Sequence, residues 1–147
     1  MKINEVKFSR DILIEPVSDR WYRIPGAFTI DLTTDCGRIR INIDDGFMFD
    51  GRSGGPAVDF IAPNLGTQSE LKAWLLHDIN GYGKCLSFEE TNELLYSMLR
   101  GQCNYSWFLA KVIYTAVSFS DSWYGEPKPT DRERINWNKI HIRHYDK

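Results

Sequence analysis

The chain has 147 residues, 42% of them apolar and 14% aromatic, and carries a formal net charge of -2. That length fits one domain whose core needs no covalent staples, and the composition excludes a disordered polymer. The near-zero charge excludes the global basic field that draws nucleic acid or anionic membranes.

The opening "MKINEVKFSRD" has no apolar signal core, and no run approaches the ~20 residues of a membrane helix, so a soluble protein is expected. "DILIEP" (Asp11 to Pro16) reads as a short strand stopped by proline. "AFTIDLTT" (Ala27 to Thr34) reads as another, behind the turn Pro25-Gly26. In "RIRINID" (Arg38 to Asp44), Ile39, Ile41 and Ile43 alternate with polar neighbours, which predicts one buried and one wet face. Asp45-Gly46 before Phe47-Met48-Phe49 predicts a hairpin. The stretch Asp50 to Gly66, rich in glycine and interrupted by Pro56 and Pro63, reads as a long irregular loop.

Three helices follow. Thr67 with Glu70 has the spacing of a capping box, opening a helix with Leu71, Trp74, Leu75 and Asp78 on one face and a stop near Asn80-Gly81. Ser87 with Glu90 opens a second, ended by Gly101. The third, from about Tyr105 to Phe119, is apolar nearly all round, which predicts a central position. Beyond Gly125 the apolar pattern fades. The basic stretch from Asp131 to Lys147 admits a short helix, an extended "KIHIRHY" edge strand or no fixed structure. The expected fold is α+β: a small N-terminal antiparallel sheet, then a three-helix layer, as one domain over 1–125 with an irregular C-terminal tail or arm over 126–147.

Cys36, Cys85 and Cys103 are odd in number and widely spaced, which suits neither a disulfide framework nor a zinc ribbon. Reduced, mostly buried thiols are expected. The chemical signal is the doublet His77-Asp78 at the end of the tryptophan helix. A buried carboxylate needs a partner, so Asp78 either clamps the glycine-rich loop, with His77 satisfying a backbone carbonyl, or belongs to a catalytic or metal site. A Ser-His-Asp triad does not fit, because adjacent helical residues diverge and Ser53 lacks the G-x-S-x-G elbow. A site holding one divalent metal ion remains, with His77, Asp50 and Asp78 as ligands. The loop "DGRSGGP" matches no phosphate-binding motif and reads as a sharp turn. Trp107, Tyr114, Trp123 and Tyr124 suit a core or partner surface better than a nucleic-acid platform, since no basic groove accompanies them.

From Ile41 to Gly125 the chain resembles a family common in phages and prophages, domain-of-unknown-function family 1353. The resemblance rests on "GFMFDGRSGGP", "AWLLHDINGY", "FEETNELLYSML" and "IYTAV", in that order. It implies a small α+β fold and places a polar set on Asp50, Ser53, His77, Asp78 and Asn92. The chain departs from the pattern at Phe88, where an arginine is expected, at Asn92, where an aspartate is expected, and by one extra residue between Ser53 and Pro56.

The function expected from these features is that of a phage-encoded accessory or virion-associated protein acting through protein binding. It would work in the infected host's cytoplasm or in the virion. Asn92, Trp123, Tyr124 and Arg143 are the candidate binding residues, the partner a phage structural or host protein. Two alternatives stand beside it. One is a small hydrolase, metal-assisted or not, with His77, Asp78, Asp50 and Ser53 as its catalytic set. The other is an inhibitor of a host defence enzyme.

Overall fold

A computed structural model describes residues 1–18, 21–49, 67–118 and 136–146. Among these, chain order gives β1 (Ile3–Phe8), β2 (Glu15–Ser18), β3 (Trp21–Ile24), β4 (Phe28–Thr34), β5 (Gly37–Ile43) and β6 (Phe47–Phe49). Then come α1 (Gln68–Gly83), α2 (Phe88–Arg100), α3 (Trp107–Ser118) and β7 (Ile140–Asp146). The expected α+β architecture, sheet first and helices after, is the observed one.

The alternating isoleucines behave as their period dictates. Phe28, Ile30 and Leu32 of β4 face Ile43, Ile41 and Ile39 of β5, and all six are buried. Thr34 closes the hairpin, its hydroxyl accepting from the Cys36 amide (3.1 Å) and donating to the Gly37 carbonyl (3.0 Å). β1 and β7 complete an antiparallel four-stranded sheet of order β1-β4-β5-β7, and β2-β3-β6 form a second sheet.

The hairpin expected at Asp45-Gly46 does not form. β6 pairs with β3 in the second sheet, while β7 takes the free edge of β5. Asp45 draws the chain away from β5, binding the Arg23 guanidinium (2.9 Å) and the Gly26 amide. Gly46, at φ +89, makes the turn and donates to the Ile24 carbonyl (3.0 Å). The strand expected over 11–16 begins only at Glu15. Upstream of it, Ile12 is buried and held by Gln68, whose side-chain amide both accepts from its N–H and donates to its carbonyl (2.8 Å each).

The tail is not irregular throughout. Residues 140–146 take the edge-strand alternative, because Ile142 and Ile140 align with Ile41 and Ile43 and pack on the core. A helical turn over 136–139 precedes them. There the buried Asn136 clamps Met48, accepting from its amide and donating to its carbonyl (2.8 Å each).

The helices start where their caps predict. Ser87 and Glu90 form a reciprocal capping box. At α1 the box is one-sided: the Thr67 hydroxyl accepts from the Glu70 amide (3.1 Å), but the Glu70 carboxylate takes the hydroxyls of Thr67 and Tyr105 instead (3.0 and 2.6 Å). α1 runs past Asn80-Gly81 to Gly83, where Lys84 adopts the left-handed conformation and caps the Asn80 carbonyl. A Cβ on Gly83 would lie 3.1 Å from Ile140 and 3.3 Å from Ile142, so the hydrogen there lets α1 close onto β7.

The central helix is α1, buried along nearly its whole length, and not α3. α3 packs on α2 with Ala110, Ile113 and Val117 as its buried residues and with Tyr114 edge-on to Tyr96. Trp107, Phe108, Leu109 and Val112 are exposed, Trp107 at 60% and Phe108 at 71%. Apolar composition marked α3 as central, but only one of its stripes finds a partner.

Candidate functional site

Buried helix α1 carries the doublet, and α2 supplies its partner. Leu71, Trp74 and Leu75 lock one stretch of α1 into the core, which carries His77 and Asp78 inward at its next turn. On α2, Leu94, Leu95 and Met98 are buried and fix the rotation that presents Asn92. The His77 Nε2 then lies 2.8 Å from Asn92 Oδ1. An amide oxygen only accepts, so Nε2 carries the proton and Nδ1 is the bare nitrogen of a neutral ring.

His77 is 5% exposed, and its Nδ1 is a buried atom without a hydrogen-bond partner among the described residues. Burial pushes its pKa down to about 4, against the smaller upward pull of the Asn92 bond. Trp74 stands edge-on to it, ring centres 6.3 Å apart. Asp78 is 1% exposed and is engaged by a polar or electrostatic contact of its own. Both members of the doublet are therefore buried, and His77 takes an α2 side chain where a backbone carbonyl was expected.

The residues expected to act together do not all fall within the described structure. His77 and Asn92 are brought together, with Asp78 beside them on α1. Asp50, Ser53, Trp123 and Tyr124 lie outside the described residues, so the catalytic and metal sets that include Asp50 and Ser53 do too. Among the described residues no three His, Cys, Asp or Glu side chains gather at a metal-binding spacing. Arg143 is far from the doublet in kind: it stands exposed on β7, opposite Arg40.

The cysteines are free thiols, but they are less buried than expected, Cys36 being exposed. Burial raises Cys85 to about 12 and Cys103 to about 11, so neither is a nucleophile near neutral pH. The Cys85 thiol donates to Asn80 Oδ1 (2.6 Å).

Two exposed surfaces are not evident from the sequence. One is the exposed apolar face of α3, whose composition is visible but whose exposure depends on how little of it α2 covers. The other is the outer face of the four-stranded sheet, where the register sets Arg38 and Arg40 beside Arg143 and Tyr145. The alternation in "RIRINID" announced a wet face; the strand that completes it could not be assigned from sequence. No described helix is long and apolar enough to cross a membrane. No protein-family model, no curated protein and no solved structure matches this chain.

Proposed function

We propose that this protein acts by binding another protein, in the phage-associated setting that its motif order resembles, and that α3 is its docking element. The observation that carries this reading is the exposed apolar face of Trp107, Phe108, Leu109 and Val112 on a helix otherwise anchored by a single stripe. Monomeric surfaces seldom leave large apolar side chains contiguous, and tryptophan and phenylalanine are the anchors that interfaces favour. Burial of His77 supports binding over hydrolysis, because a neutral ring closed against Asn92 offers no base to a substrate from solvent.

The double substitution Trp107→Ser with Phe108→Ser tests this. Folding stability should stay within about 0.5 kcal/mol of the parent, since neither side chain is in the core. Cross-linking mass spectrometry from infected cells, with the particles analysed in parallel, should show the parent's specific partner weakened at least about tenfold, a loss of ~1.4 kcal/mol. Equal capture by parent and variant would overturn the assignment of α3.

A further inference from the structure

We propose that the outer face of the four-stranded sheet, at its β5–β7 half, binds single-stranded nucleic acid through Arg38, Arg40, Arg143 and Tyr145. The pairing register builds this surface. Rows across the sheet read Thr33–Arg38–Tyr145, Asp31–Arg40–Arg143 and Thr29–Asn42–His141. The inner residues of the same strands are buried Phe28, Ile30 and Leu32 on β4 and Ile39, Ile41 and Ile43 on β5, with half-buried Ile140 and Ile142 on β7, so alternation turns these three rows outward.

Three guanidinium groups thus share one side of two adjacent strands in a protein whose net charge is -2. Arg40 is held by Asp31 through two parallel bonds (2.8 and 3.0 Å). Arg143, directly opposite Arg40, makes no ion pair or side-chain hydrogen bond among the described residues. Like charges paired across a ladder repel, and an anion between them would relieve that repulsion. Asp31 on β4 and Glu5 on β1 lie to one side of this face, where Lys7 stands opposite Asp31, and at its other end Asp44 meets His141 (2.9 Å); the guanidinium groups themselves are all on β5 and β7.

The chemistry selects the occupant. Guanidinium groups present planar forks suited to phosphate oxygens. The Arg38 guanidinium lies 4.5 Å from the centre of the Tyr145 ring, which is 38% exposed, so cation and aromatic sit in one surface. Phosphate-directed cations interleaved with an aromatic ring are what an unpaired, base-bearing strand requires. A protein interface of similar area would deplete charge at its centre and gather several large apolar or aromatic anchors there. Apart from the Tyr145 ring these rows have none; the anchors are on α3.

The test is fluorescence anisotropy of the full chain with a labelled, mixed-sequence single strand of about 15 nucleotides at about 50 mM salt. The parent should bind, and the double variant Arg38→Gln with Arg143→Gln should bind at least about tenfold more weakly, with a salt dependence shallower by about two phosphate contacts. Tyr145→Leu should weaken binding about tenfold by removing the stacking ring. Arg143→Lys, which keeps the charge, should retain most of the affinity, and circular dichroism verifies that each variant folds. Absence of binding by the parent, or affinity unchanged in the double variant, would overturn the proposal. So would a poly-glutamate peptide that competes as well as unlabelled oligonucleotide, because the face would then recognise acidic protein.

Discussion

Replacing Asn136 with alanine is expected to lower folding stability by about 2–4 kcal/mol, read from urea unfolding near neutral pH. The side chain is fully buried and joins both main-chain groups of Met48. Its removal strands a donor and an acceptor on β6 and leaves a polar void in their place. The consequence reaches beyond the clamp. Three residues after it, Lys139 ends the turn over 136–139 that hands the chain to β7, its carbonyl accepting from the Asp44 amide (2.9 Å) and its ammonium donating to the Asp45 carbonyl (2.8 Å). Loss of the clamp should therefore loosen β7 as well, and amide exchange along Ile140–Asp146 should accelerate in the variant. A loss below about 1 kcal/mol would mean that β7 is held by its ladder alone.

The second large effect is on pH dependence. His77 ordinarily titrates at 6.5 and in the fold at about 4, because burial disfavours its charged form. Between those values the unfolded chain binds more protons than the native one, so stability rises with pH across the window. The contribution is complete above pH 6.5 and disappears as pH falls toward 4. From pH 7 to pH 5 the parent should lose about 2 kcal/mol. The carboxyls of Asp31, Asp35 and Glu90 are held below their ordinary values by hydrogen bonds and by Arg40 or the terminal ammonium, so their contributions fall away mainly at lower pH. The terminal ammonium, raised by Glu90, weakens only as pH rises through 8 and beyond. His77→Gln should show little of the loss between pH 7 and pH 5. A variant that loses as much as the parent would place the proton uptake elsewhere.

Much of this fold is legible where local physics decides it. The alternation of Ile39, Ile41 and Ile43 specified β5 and its wet face, and Ser87 with Glu90 specified the start of α2 to the residue. Failures come where long-range pairing decides. Asp45-Gly46 is good hairpin chemistry, but whether Phe47–Phe49 folds back on β5 depends on a competitor almost a hundred residues downstream, and β7 wins that edge. β1 and β3 were missed because their faces are only partly buried, which blurs the period of two. α3 shows that apolar composition measures what a helix can bury, not what its neighbours cover.

The site follows the same division. The placement of Asp78 beside Leu71, Trp74 and Leu75 on one helical face correctly implied burial, and it is buried. The partner of His77 was not readable from spacing, since Asn92 belongs to another helix. Asn92 was nonetheless marked by its position in the motif order, as a departure from an expected aspartate. The difference between an amide and a carboxylate at this position matters physically. An aspartate at 2.8 Å would favour the charged imidazolium, whereas the amide leaves burial to dominate and the ring neutral.

Nitrogen-detected NMR of the His77 ring, followed from pH 8 to about pH 4, addresses the sealed pair directly. The protonated nitrogen should be Nε2 throughout, and the ring should stay neutral until the pH nears about 4. A midpoint at or above the ordinary value of 6.5, or a proton found on Nδ1 at neutral pH, would mean that the ring is open to solvent or to a charged partner, and would return His77 to the candidates for catalysis.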